Sequence, residues 1–147
     1  MGICNCKKHY ALTHATNDIP LFTFDGINCR AKVVDIYDGD TFKLCMHYNK
    51  KIIKINCRAM GYDSSEMKPK LNIINRDAHI KKAKEDKQYL IDLLKQTNYL
   101  VYVRCYRFDK YGRVLVTLYP KKSSKKSIND IMIETGHGVP YYGGKKN

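Results

Sequence analysis

Alternating apolar and polar residues dominate the middle of the chain. Over Thr41 to Tyr48, Phe42, Leu44 and Met46 alternate with Lys43, Cys45 and His47, which predicts a half-buried strand. Ile53, Ile55 and Cys57 alternate in the same way with Lys54 and Asn56 over Ile52 to Cys57. Continuing this period of two puts Arg58 on the polar face, beside Lys54 and Asn56. Ala31 to Ile36, rich in β-branched residues, predicts a strand ahead of these two. Asp38-Gly39 is a strong turn signal between the first pair, and Tyr48-Asn49-Lys50-Lys51 makes the next turn. Later, Val101, Val103 and Cys105 share one face of Tyr99 to Arg107. Asp109-Lys110-Tyr111-Gly112 then turns the chain into Val114 to Tyr119.

Two segments carry a helical period instead. From Asn75 to about Gln96, Ile80, Ala83, Leu90, Ile91 and Leu94 fall on one side, with Lys87 interrupting the stripe. Ser127 to Thr135 suits a short final helix, capped by Ser127 and ended by Gly136. The order is three strands, a helix, two strands and a helix. That order predicts an α+β, mainly β fold: a five-stranded Greek-key barrel such as the OB-fold.

A chain of 147 residues suffices for one domain with a real core. Residues 1–25 read as an extension and 26–147 as the domain. Twenty-seven Lys and Arg stand against 14 Asp and Glu, a net charge of +13, which points to a polyanionic partner: nucleic acid or an anionic membrane surface. Of six cysteines, Cys29, Cys45, Cys57 and Cys105 lie in apolar or strand-like runs and read as small hydrophobes. No secretory signal precedes them and no apolar run approaches membrane-spanning length. A reduced, intracellular setting is expected: cytoplasmic, or lipid-anchored to the cytoplasmic face of a membrane.

The amino terminus, Met1-Gly2-Ile3-Cys4-Asn5-Cys6-Lys7-Lys8, leaves three readings open. Gly2 with Cys4 and Cys6 resembles a myristoylation signal with palmitoylation sites, although Cys6 stands where Ser or Thr is usual. Two acyl chains, or one chain and a basic patch, would anchor the chain stably. The second reading is a plain tail. The third is a small metal site from Cys4, Cys6, His9 and His14, whose spacing matches no familiar zinc pattern.

The candidate chemistry lies in Asp38-Gly39-Asp40-Thr41, Arg58-x4-Asp63-Ser64-Ser65-Glu66 and Asp109-Lys110-Tyr111-Gly112-Arg113. Three carboxylates (Asp40, Asp63, Glu66) and two arginines (Arg58, Arg113) supply what phosphodiester hydrolysis needs. Carboxylates and a backbone carbonyl suit a hard divalent cation. Glu66, three residues past Asp63, is placed to orient or deprotonate a water. Arginines make bidentate contacts to phosphate that lysine cannot match. Each piece has a plainer reading too: a hairpin turn, an Arg58–Asp63 salt bridge, and a turn whose glycine serves the backbone.

Taken together, these segments resemble the staphylococcal nuclease (thermonuclease) family. The likeness runs from about Lys32 to Tyr142 and extends to Ile128-Asn129-Asp130 through Gly136. The resemblance implies an OB-fold barrel of five strands with three helices, and Ca2+-dependent cleavage of DNA and RNA, with little sequence specificity, leaving 3′-phosphates. It implies calcium ligands at Asp40, Asp63 and the Ser64 carbonyl, and catalytic roles for Arg58, Glu66 and Arg113. Tyr141 and Tyr142 lie in the region whose tyrosines help hold the nucleotide in that family, and Lys110 and Tyr111 match neighbours of its catalytic arginine, where they would bind phosphate. The family usually has Thr-Pro before the glutamate. Ser64-Ser65 lacks that rigidity, so weaker calcium binding is expected. Oxygen ligands also suit Mg2+ or Mn2+. The expected partner is DNA, RNA or both, with an anionic membrane surface through the N-terminus, and the expected state is a monomer. The competing reading is an inactive or weakly active nucleic-acid-binding module on the same barrel.

Overall fold

A computed structural model describes residues 3–143. Its centre is a closed barrel of five strands: β1 (Asn28–Ile36), β2 (Thr41–Tyr48), β3 (Lys51–Ala59), β5 (Leu100–Phe108) and β6 (Val114–Tyr119). Around the barrel they lie in the order β1-β2-β3-β6-β5. Every contact between neighbours is antiparallel except β3 with β6, which run parallel and pair Cys57 with Val114 and Arg58 with Leu115. The two-residue strands β4 (Tyr62–Asp63) and β7 (Val139–Pro140) pair outside the barrel. Three helices complete the fold: α1 (Ile3–Thr13), α2 (Arg76–Lys95) and α3 (Ile128–Glu134).

The alternation seen in the sequence is the alternation of the barrel wall. Phe42, Leu44 and Met46 point inward from β2, Val101, Val103 and Cys105 from β5, and Val114, Val116 and Leu118 from β6; all nine are buried. Leu90 and Leu94 of α2 and Ile128 and Met132 of α3 join the same core. Burying each such side chain fully contributes about 1.5–3 kcal/mol. Cys57 and Cys105 are buried free thiols, as expected of small hydrophobes. Burial is the main reason both resist ionisation, and it pushes Cys105 up to about 12.

Local rules explain the connections. Asn49 and Lys50 both take positive φ, at 48° and 64°, between the paired residues Tyr48 and Lys51. That is the backbone of a tight two-residue hairpin whose twist suits the flanking strands. Ser127 caps α3 in a capping box with Asp130. A shift in register between Cys105 and Phe108 bulges β5 next to the returning turn.

Within the amino-terminal stretch, residues 3–13 form a helix and residues 8–23 are exposed to solvent. Phe24 is buried in the barrel core and Phe22 stacks edge-on against it at 4.9 Å, so the barrel takes up chain from about residue 22. Gly2 lies outside the described residues, as do the side chains of Cys4 and Cys6. His14 bonds the Tyr10 carbonyl at 2.9 Å, as one turn of helix allows. Among the described residues no helix is long and apolar enough to cross a membrane.

Candidate functional site

The site forms where β2, β3 and β6 end together. Thr41 pairs with Arg58 across β2 and β3, and Arg58 pairs with Leu115 across β3 and β6. The outward face of β3 therefore carries Arg58 out of the core, as its period of two predicted. The β1–β2 turn places Asp40 beside it, and β4 brings Asp63 to its other side. Asp40, Arg58, Asp63, Glu66 and Arg113 line one open cleft of about 970 Å³. Lys110, Tyr111, Tyr141 and Tyr142 line it too. Ser64 does not line the cleft.

Asp40 is the hub. Its residue is 4% exposed. The Arg58 guanidinium reaches both carboxylate oxygens at 3.4 Å. The Thr41 hydroxyl donates to one oxygen at 2.9 Å, and the Ser64 backbone N–H donates to the other at 2.7 Å. Arg58 also pairs with Asp63, so one guanidinium bridges both carboxylates. Arg113 donates to the Thr41 hydroxyl at 3.3 Å. The two arginines are thus linked through Thr41 and Asp40.

Asp38, two residues earlier, accepts the Asp40 N–H at 3.3 Å. Burial, then the Asp40 charge, push its carboxyl up to about 6. Gly39 between them is required by close approach rather than by its φ. A Cβ there would lie 2.8 Å from the Ser64 Cβ. Tyr62 clamps the same turn by donating its hydroxyl to the Gly39 carbonyl at 2.7 Å.

Asp109 holds Arg113. Its carboxylate accepts the Arg113 Nε–H at 2.7 Å, the Arg113 backbone N–H at 3.0 Å and the Tyr111 N–H at 2.8 Å. Gly112, at φ +76°, lets the turn close. Burial works to raise the Asp109 pKa, but the bonds from Arg113 and Tyr111 outweigh it and hold it below its ordinary 3.8. Because the folded value is depressed, the tether's stabilisation is full above 3.8 and is lost as acid protonates the folded carboxylate. Asp109→Asn is expected to remove that acid-limb contribution and to loosen Arg113. Comparing urea midpoints of both proteins from neutral pH down to pH 3 checks this: parallel curves would refute the tether.

A second polar cluster backs the Ser64-Ser65 step. Asp86 of α2 is 1% exposed and accepts the Ser65 N–H at 3.2 Å. Its other oxygen pairs with Lys82 and lies 3.0 Å from the His137 ring. His137 stacks on Tyr89 at 4.1 Å, and Lys82 donates to the Gly136 carbonyl at 3.0 Å. A buried carboxylate is tolerable only with such partners. The loop that lacks the family's proline is therefore held by Asp86 from α2 and by Asp40 from the turn. Sequence reasoning missed Asp86, which sits on the helix's buried face beside Lys87, and His137, whose partner is 51 residues away.

The donor set suits a hard divalent ion. Asp40 and Asp63 are both within reach of a single cationic group, and all their donors are oxygens. Ser64 Oγ is buried behind the cleft and makes no hydrogen bond among the described residues. No three His, Cys, Asp or Glu side chains converge among the described residues, so an ion there would also need a backbone carbonyl and water.

A small closed barrel whose rim gathers acids and arginines in one cleft is that of a nuclease or a nucleic-acid-binding module. The family model described as staphylococcal nuclease homologue matches residues 56–147, and the chain belongs to that family. A comparison with curated proteins gives no match.

Proposed function

We propose that the chain is a metal-dependent endonuclease that hydrolyses phosphodiester bonds of DNA and RNA with little sequence specificity and leaves 3′-phosphates. The observation that carries this reading is the continuous link Arg113–Thr41–Asp40–Arg58–Asp63 along one cleft, with Glu66 exposed on its lip. Such a link fixes two guanidinium groups relative to two carboxylates, which a merely basic groove does not need.

Asp40, Asp63 and the Ser64 carbonyl would hold a divalent ion; the family resemblance points to Ca2+, and the oxygen donors suit Mg2+ or Mn2+ as well. Bound there, the ion would act as a Lewis acid on the phosphoryl oxygens. Glu66 takes a proton from the attacking water. Arg58 and Arg113 donate to the phosphoryl oxygens, where charge builds as water adds to phosphorus. The bond to the 5′-oxygen then breaks on the Arg113 side, and the departing alkoxide takes a proton from solvent water in the open cleft. Tyr111 lies under both Arg113 and Lys110, at 5.3 and 5.0 Å, and shapes the pocket for an adjoining phosphate.

The second reading is a binding module. The Arg58 bridge favours it, because it already neutralises both carboxylates. Incubation with single-stranded DNA and with RNA, in Ca2+, Mg2+ or chelator, decides between them. Cleavage with Ca2+ that stops in chelator is the expected result. Binding without cleavage under every metal would leave only the module.

A further inference from the structure

The outer wall of β6, β5 and β1 continues away from the cleft as a strip of tyrosines and cations. Leu115, which lines the cleft, is followed on the same outward face of β6 by Thr117 and Tyr119. Across β5, Arg104 pairs with Thr117 and Tyr102 with Tyr119. Across β1, Asn28 pairs with Arg104 and Arg30 with Tyr102. The β5 bulge turns Arg107 into the cleft just beyond Tyr106.

The side chains are already arranged against one another. The Arg104 guanidinium lies over the Tyr106 ring at 5.4 Å, and the Lys122 ammonium over the Tyr102 ring at 5.9 Å. Thr117 donates to the Tyr106 hydroxyl at 3.3 Å. Arg30 and Arg104 are exposed, and neither they nor Lys122 pairs with a described carboxylate. The four residue steps from Leu115 to Tyr119 span roughly 13 Å. A solvated strand face needs neither tyrosines in register nor uncompensated cations.

We propose that this strip binds single-stranded nucleic acid, extending the cleft so that a strand held at the scissile bond runs on over the barrel wall. Bases stack on Tyr106, Tyr102 and Tyr119, and phosphates meet Arg104, Arg30 and Lys122. Stacking with a cationic track is how sequence-tolerant strand binding works, and one stacked base is worth about 1–3 kcal/mol. The commitment to nucleic acid over an anionic bilayer rests on the rings. Tyr102, Tyr106 and Tyr119 are all half-buried along the barrel wall, so they offer ring surface to a base without projecting as an apolar patch into lipid.

The inference rests on the nuclease reading only for where the strand enters. Its test is binding in chelator, by fluorescence anisotropy at low salt, using oligothymidylates of four and of sixteen nucleotides. The double variant Tyr102→Ala, Arg104→Ala is expected to bind the longer strand about tenfold more weakly and the shorter one unchanged. Arg30→Glu, at an exposed position, is expected to weaken the longer strand alone as well, and serves if the double variant does not fold. Both variants should cleave a short substrate at the wild-type rate in Ca2+. Absence of cleavage by every protein would overturn the nuclease reading while the binding result stood. Equal losses for both lengths, no loss at all, or loss of binding to phosphatidylserine vesicles with oligonucleotide affinity intact would each overturn the strip.

Discussion

Replacing Glu66 by Gln is expected to slow cleavage of single-stranded DNA by about 10²–10⁴-fold, the usual contribution of a positioned proton acceptor. The substitution is nearly isosteric and the residue is exposed, so the fold should not change. Glu66 follows the Ser64-Ser65 step, which Asp40 and Asp86 hold through backbone N–H groups. Two of the loop's anchors are therefore backbone bonds that Glu66→Gln leaves in place. Affinity for an oligonucleotide, measured in chelator, should stay within twofold of wild type while the single-turnover rate in Ca2+ collapses. An unaltered rate would remove Glu66 from the chemistry and leave Arg58, Arg113 and the acids to be explained otherwise. A matching drop in affinity would mean that the residue binds rather than catalyses.

The largest effect on stability should come from Asn129→Leu. Asn129 is buried on α3 and its amide closes the barrel's parallel seam. Its oxygen accepts the Leu118 N–H at 3.0 Å, and its nitrogen donates to the Met60 and Val116 carbonyls at 2.9 and 3.1 Å. Leucine fills a similar volume but takes the Asn129 amide from the Leu118 N–H and the Met60 carbonyl, while the Val116 carbonyl keeps the Met60 N–H at 2.8 Å. At about 1–3 kcal/mol for each unsatisfied group, a loss of roughly 2 kcal/mol or more is expected. Chemical denaturation should show a lower midpoint with an unchanged slope. A loss under 1 kcal/mol would mean that water or a neighbour replaces the amide.

Much of the barrel was legible because a strand writes its burial into alternate residues. Thr41–Tyr48 and Val114–Tyr119 begin and end where the periodicity does, and Arg58 lies on the outward face the period assigned it. What remained hidden was what depends on distant partners. β4 and β7 have two residues each, too few to show a period, and exist only because Tyr62 and Asp63 meet Pro140 and Val139. Asp86 breaks the apolar stripe of α2, and its burial makes sense only beside His137 and the Ser65 N–H. Helix α1 has no apolar period in its sequence to announce it. Of the candidate site, the side chains gathered in the cleft came from three motifs read together. Ser64 stands apart: it meets Asp40 through its backbone N–H and keeps its side chain behind the cleft.

The parallel seam has a consequence for how the chain reaches this form. The β1–β2–β3 meander can assemble as soon as residues 28–59 exist, since its pairings are local. β3 must then wait for a strand that begins 55 positions after its own end at Ala59, at Val114 (114 − 59 = 55), and β1 waits for β5. Until both arrive, the meander has two unpaired edges, which are templates for joining another chain. During synthesis, aggregation should therefore be most acute between completion of the meander and emergence of β6. The lysines along β3 and at the Asn49-Lys50 turn guard that interval by charge.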